Sequence, residues 1–382
     1  MQSTQQKHTI PVKNQTRPLF GTGVDKTLPF IISDDFVFAA KKPGILEKID
    51  EENEIAILRY DDDTKDIIDL SEIISKNSNG GFYCSNKKQL LIKEGERFKV
   101  NDVLAKNGDY FKGDNPENVV YSTGKLCKIA VVSMAETFED SSMISSKMSK
   151  DMTSLITMKK DISLGVNSNI DFLIKKGDHV KTGDKLVVFD TSFEDSSINF
   201  MLGNFADEID ELTKNEVHSK YTGRVVDVNI YYNHDISEYT PSVQKILKKY
   251  INENKSKVKV IGDTLDENSL RLVNLKSVNK INSTKVKGKD IDGLLIEIFI
   301  EYEDELTVGD KVTYATALKT TISDVFDEGE APFTSFKEDE DLDAVFPSLS
   351  IITRQTTDFF FQLYLNKALL GLKDEVTKIW NE

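Results

Sequence analysis

A chain of 382 residues, 39% hydrophobic and 30% charged, is long enough for two or three domains with a sizeable buried core. Its longest apolar stretches, such as Lys128-Ile-Ala-Val-Val132 and Leu294-Leu-Ile-Glu-Ile-Phe-Ile300, are strand-length, far short of the roughly 20 residues that span a bilayer, so no membrane segment is expected. A net charge of −15 argues against a free-standing nucleic-acid binder, because Lys and Arg on phosphate supply most non-specific affinity; any such contact needs locally concentrated basic residues or a groove carried by partner chains.

The first twenty residues are polar, with no apolar centre, so a secretory leader is not expected. Short β-rich runs follow at residues 45–49, 55–60, 129–132, 223–231, 258–261 and 294–301, separated by Gly, Asn and Asp clusters as in barrels and sandwiches. Helical periodicity is confined to residues 141–154, 198–215 with Leu202, Phe205, Ile209 and Leu212, 241–252, and 358–380. One element recurs as Leu91-Ile-Lys-Glu-Gly-Glu-Arg-Phe98, Leu173-Ile-Lys-Lys-Gly-Asp-His-Val180 and Leu306-Thr-Val-Gly-Asp-Lys-Val312. Its glycine supplies a turn that tolerates positive φ, and each copy is expected to be a tight β-hairpin. The acidic run Asp61-Asp-Asp63 and the segment 327–343 read as solvated turns and loops. Cys84 and Cys127 sit in strand-like contexts and are expected to be reduced core thiols; His8, His179, His218 and His234 lack the close spacing of metal ligands.

A set of ordered motifs then carries a resemblance. Arg17-Pro-Leu-Phe-Gly-Thr-Gly-Val-Asp-Lys26, preceded by Gln6-Lys-His-Thr-Ile-Pro11, is followed by Ala40-Lys-Lys-Pro-Gly-Ile-Leu46 and Asn77-Ser-Asn79. The most specific segment is Ala135-Glu-Thr-Phe-Glu-Asp-Ser-Ser-Met-Ile-Ser145. Asp161-Ile-Ser-Leu-Gly-Val-Asn-Ser-Asn169, Tyr221-Thr-Gly-Arg-Val-Val-Asp-Val228, Val308-Gly-Asp-Lys311 with Lys319 eight residues on, and Glu330-Ala-Pro-Phe333 complete the series. In this order they resemble the C-terminal part of the β subunit of multi-subunit DNA-directed RNA polymerases, in particular the split β subunits of giant bacteriophages.

The resemblance implies a mainly β fold with some α: a double-psi β-barrel interrupted by a flap domain with barrel-sandwich hybrid elements and closed by a C-terminal helix. It implies a first part of the barrel with an associated hybrid barrel at residues 1–152, a flap at 153–288, a second part of the barrel at 289–350 and a helical segment at 351–382. It also implies a subunit that is inactive without partner chains, namely the N-terminal β part and the β′ parts, because no Asp-Phe-Asp-Gly-Asp motif is present to hold the catalytic Mg²⁺. Lys311 and Lys319 are the expected catalytic contacts to RNA 3′-end and NTP phosphates, and Glu139, Asp140 and Arg354 the expected substrate-binding residues, with Asp140 reaching a metal through water. DNA template, RNA product and a promoter-specificity factor docked on the flap, with the apolar face of 198–212 as its seat, are the implied partners. The implied setting is the cytoplasm of an infected bacterial host, or the virion if the polymerase is packaged. Two departures stand out: Val312-Thr-Tyr-Ala-Thr-Ala-Leu318 replaces a Gly-, Arg- and His-rich bridge, and Arg354 lies one residue farther from Pro347 than the family pattern gives. The competing readings are a lipoyl-like carrier, suggested by the recurrent Gly-Asp turns, and a non-catalytic β-rich phage structural protein.

Overall fold

The computed structural model describes residues 10–21, 23–76, 83–191, 214–264, 278–281, 285–286, 289–291, 293–315, 318–334, 340–354 and 358–381. The run Asn77-Ser-Asn79, residues 1–9 and nearly all of the expected helix 198–215 lie outside them. The chain divides into two units, one formed by residues 1–33, 107–155 and 303–382, the other by 34–106 and 156–302. The architecture is mainly β in both.

In the second unit, Ile55–Tyr60 is buried at every position but Arg59 and lies between Gly44–Asp50 and Lys65–Asp69, both antiparallel to it. Gly44 is required where the strands close, since a Cβ there would sit 2.4 Å from the Arg59 carbonyl oxygen. Leu46, Leu58, Ile68, Phe98 and Leu104 form the core of this part. A larger sheet runs in the order His179–Val180, Gly223–Tyr232, Leu294–Asp304, Ser154–Leu164, Tyr83–Asn86, Ile73–Lys76. Alternation sorts the faces of Leu294–Asp304. Ile296, Ile298 and Ile300 join a core with Val243 and Leu247 of the helix Pro241–Thr264, while Glu297 and Glu301 find cations.

Those cations are Lys159, 2.7 Å from Glu297 and 2.9 Å from Asp161, and Arg224, 2.8 Å from Glu72 and 3.0 Å from Glu301. Burial works against the Lys159 charge, but its hydrogen bonds to Glu297 and Asp161 prevail and hold its pKa above the ordinary lysine range. The hydrogen bond to Glu72 likewise raises the pKa of Arg224.

The first unit centres on a five-stranded mixed sheet in the order Ile129–Val131, Ala344–Phe346, Ser141–Ser145, Leu318–Phe326, Lys311–Tyr314. Ile144, Met148, Tyr314, Leu318, Ile322, Phe346, Ile351 and Phe359 make its core. Helix Ser146–Asp151 starts on Ser145, whose hydroxyl accepts from the Met148 N–H at 3.0 Å. Burial pushes the Cys127 thiol beside this core up to about 12, which keeps it protonated and inert. No disulfide joins Cys84 and Cys127.

Three local expectations are corrected. Only Ser146–Asp151 of the stretch 141–154 is helical; Ser141–Ser145 is a buried strand held between Leu318–Phe326 and Ala344–Phe346, so tertiary pairing overrides its periodicity. Residues 258–261 are not a strand but the last turns of Pro241–Thr264, where Val243, Leu247, Lys257 and Ile261 keep one helical face buried. The recurrent Gly-Asp turns do not close hairpins. The strands beside them pair elsewhere: His179–Val180 with Gly223–Tyr232, and Arg97–Phe98 with Gly44–Asp50.

What recurs is the turn itself. Asp178 N–H donates to the Lys175 carbonyl at 3.2 Å while its carboxylate accepts from the Lys175 N–H at 2.9 Å, around Gly177 at φ 91°. The same reciprocal pair joins Lys93 to Glu96, Lys99 to Asp102, Lys181 to Asp184 and Thr307 to Asp310, with Gly95, Asn101, Gly183 and Gly309 at positive φ.

Candidate functional site

All five residues singled out from the sequence fall in the first unit, on or beside its five-stranded sheet. Lys311–Tyr314 and Leu318–Phe326 are antiparallel, with Lys311 opposite Thr321 and Thr313 opposite Lys319. Residues directly opposite share a face, and so do residues two apart. Lys311, Thr313, Lys319 and Thr321 therefore line one face, the two lysines as diagonal neighbours with backbones about 7–8 Å apart. The opposite face carries Tyr314, Leu318 and Ile322 into the core. Alternation thus forces both ammonium groups outward whenever the apolar set packs.

Lys311 is exposed and Lys319 half-buried, and among the described residues neither ammonium has an ion-pair or hydrogen-bond partner. In a chain of net charge −15, two neighbouring cations that form no ion pair among the described residues stand out. An anion with several oxygens is the ligand such a pair can serve, each ammonium acting as a compact point charge.

Asp140 stands where the neighbouring strand begins. Its backbone adopts φ 54°, a left-handed conformation that Asp tolerates better than most residues. Its carbonyl accepts from the Thr321 N–H at 2.8 Å, and its own N–H donates to the Ser350 Oγ at 3.1 Å. Asp140 is thereby fixed to the residue opposite Lys311 on one side and to the helix Leu349–Ile352 on the other. Its carboxylate lies 2.6 Å from the Arg354 guanidinium. Both partners are partly exposed, so the pair is worth no more than about 1 kcal/mol and can be exchanged for another anion. Glu139 is exposed and makes no ion pair among the described residues.

The structure therefore joins Asp140 to Arg354 directly, joins Asp140 to the lysine strands through the backbone, and leaves Glu139 at the solvent edge. Sequence reasoning did not find Ser350, Thr313 or Thr321. Strict alternation around the two lysines would have found the threonines; Ser350 carries no local signal. Also missed was a buried hydroxyl cluster behind the lysines, in which Tyr314 donates to Ser142 at 3.2 Å and Ser142 meets Thr320 at 2.8 Å, tying three strands together.

Among the described residues no three His, Cys, Asp or Glu side chains come together as a metal site. Asp140, committed to Arg354, and the lone Glu139 do not fit a resident Mg²⁺. No helix among the described residues is long and apolar enough to cross a membrane.

No family model matches the chain. It is similar to the β subunit of DNA-directed RNA polymerase of Acetivibrio thermocellus, 25% identical over 296 residues, which covers 69% of this chain and 22% of that subunit. The Lactobacillus johnsonii β subunit is 27% identical over 300 residues, covering 69% of this chain and 23% of its own length. That of Kosmotoga olearia is 24% identical over 295 residues, with 66% and 24% covered. The chain is thus related to RNA polymerase β subunits and spans about a quarter of the length of these relatives.

Proposed function

We propose, from this kinship with β subunits, that the chain is a C-terminal β fragment working inside a multi-subunit DNA-directed RNA polymerase of the split, giant-phage kind. In nucleotidyl transfer an RNA 3′ hydroxyl attacks the α-phosphate of an incoming NTP, and negative charge grows on the phosphoryl oxygens. Lys311 and Lys319 stabilise that charge from one face of a rigid strand pair, without having to reorganise as the reaction proceeds. Arg354 exchanges its bond to Asp140 for triphosphate oxygens, to which its planar fork is suited. Asp140 then serves to hold Arg354 in reach when no triphosphate is present. The observation that carries this reading is the pair of ammonium groups on a common face, without a partner among the described residues, next to the strand Ser141–Ser145 that Asp140 precedes.

On this reading the sheet of the first unit belongs to a double-psi barrel, and the segment 153–288 to a flap that guides RNA and receives a promoter-specificity factor. Mg²⁺ supplies Lewis acidity at the phosphate and is held by a partner chain, since the residues here do not fit it. DNA template, RNA product and the remaining β and β′ chains are the partners.

The test is single-nucleotide addition by the assembled polymerase. Lys311→Ala or Lys319→Ala is expected to slow it by about 10²-fold or more, the scale of losing one transition-state contact. Undiminished addition by both variants would reject the assignment.

A further inference from the structure

The helix Pro241–Thr264 has a face that the core does not use. Val243, Leu247, Lys257 and Ile261 are buried, and the Lys257 ammonium is spent on Asp69 at 3.1 Å. The other five lysines of the helix, Lys245, Lys248, Lys249, Lys255 and Lys259, are all exposed. At about 100° per residue they fall within an arc of about 120° centred opposite the buried stripe, and at about 1.5 Å per residue they extend over about 21 Å. Acidic residues of the helix are confined to Glu253, 3.8 Å from Lys249, and Asp263 at the C-terminal end. Among the described residues Lys245, Lys248, Lys255 and Lys259 have no ion-pair partner.

We infer that this file of lysines is a docking track for the phosphate backbone of a single-stranded nucleic acid. Repeated phosphates in a row are the ligand whose charge spacing a linear file of ammonium groups can follow, and counterion release supplies the affinity. Between these lysines the same arc of the helix carries Asn252 and Ser256, and the Tyr250 ring, 5.9 Å from the Lys249 ammonium, sits on the buried side, so the file is suited to phosphates and not to stacked bases. A lipid surface is disfavoured because an interfacial helix must insert its apolar side, and here Val243, Leu247 and Ile261 are already buried in the protein. The inference rests on the polymerase reading only for where the strand comes from, transcript or unpaired DNA; the binding chemistry stands without it.

The experiment uses the purified full chain and, separately, the assembled polymerase, with fluorescent single-stranded RNA or DNA of about twenty nucleotides titrated over a range of salt. Replacing Lys245, Lys248, Lys255 and Lys259 by Gln is expected to weaken binding at least tenfold at about 0.1 M salt. It is also expected to flatten the slope of log affinity against log salt by about 3, four contacts at about 0.7 each. The fourfold Arg variant retains both values, which separates charge from shape. Preference for RNA assigns the track to transcript and preference for DNA to an unpaired DNA strand. Unchanged affinity and slope in a folded Gln variant overturn the inference, as does a wild-type chain that captures phosphatidylserine vesicles or a polyglutamate peptide but neither nucleic acid. If Lys311 and Lys319 prove dispensable while the Gln variant still loses nucleic acid, the polymerase reading fails and the track stands.

Discussion

Among the described residues, the second unit holds the most deeply buried ion pairs of the chain, whereas the first holds nearly all of the large apolar side chains that stand in water. Lys159 with Glu297 and Asp161, Arg224 with Glu72 and Glu301, and Lys257 with Asp69 each close a local account of charge. Every exposed large hydrophobic side chain among the described residues belongs to the first unit except Val100 and Phe172. Phe138, Phe361, Tyr364, Ile379 and Trp380 are each more than two-thirds exposed. A domain that served only itself would not place so much apolar surface in water. The difference teaches that the second unit pairs its buried charges internally while leaving a file of lysines in water, whereas the first leaves in water apolar surface that contact with another polypeptide would cover.

The largest effect that would sharpen this contrast is the loss of Lys159. Lys159→Met leaves Glu297 and Asp161 facing each other without their cation, and breaking a buried pair from one side costs about 3–5 kcal/mol. Urea denaturation should show that loss at neutral pH and a partial recovery in acid, as the orphaned carboxylates take up protons. A cost below about 0.5 kcal/mol would place these charges among ordinary surface pairs and remove half of the comparison.

The complementary change belongs to the helix Asp358–Asn381. Ile379→Ser with Trp380→Ser should alter the stability of the chain by less than about 0.5 kcal/mol, since both side chains are already in water. The same double variant should reduce recovery of partner chains when the tagged protein is purified from its source. A large drop in melting temperature instead would mean that these residues pack within the chain and that its outer surface is not awaiting cover.

How much of this could be read beforehand follows from where the determining contacts lie. Ile55–Tyr60 and the start of the Pro241 helix were legible because their information is local: β-branched runs bounded by turns, and a repeating apolar stripe. The same local logic failed at residues 258–261, where Val258, Val260 and Ile261 look strand-like until the buried stripe of the preceding turns is carried through them. It failed at Ser141–Ser145, whose state is decided by strands almost two hundred residues away in the chain. The Gly-Asp turns were recognised and their strand partners were not, since a four-residue turn fixes its own geometry but says nothing of which sheet receives the chain next. At the site, the lysine pair was named from a resemblance. Its shared face follows from spacing once the strands are known, while the Asp140–Ser350 bond joins segments that no pattern links.

The finest discrimination concerns Asp227, on the strand Gly223–Tyr232 of the second unit. Burial pushes its carboxyl above the ordinary carboxylate range, against the opposing pull of Lys176 and of the Val228 N–H that donates to it at 3.0 Å. A carboxyl that holds its proton more tightly when folded gives stability that is fully present below the unfolded value of 3.8 and is lost as pH rises through the folded one. Asp227→Asn keeps an oxygen for Val228 and carries no charge to desolvate. The variant and the parent should therefore melt together near about pH 3 and separate toward neutrality, the variant being the more stable. The opposite order at neutral pH would mean that the contacts of the Asp227 anion outweigh its burial, as hydrogen bonding does for the Lys159 cation of the same unit.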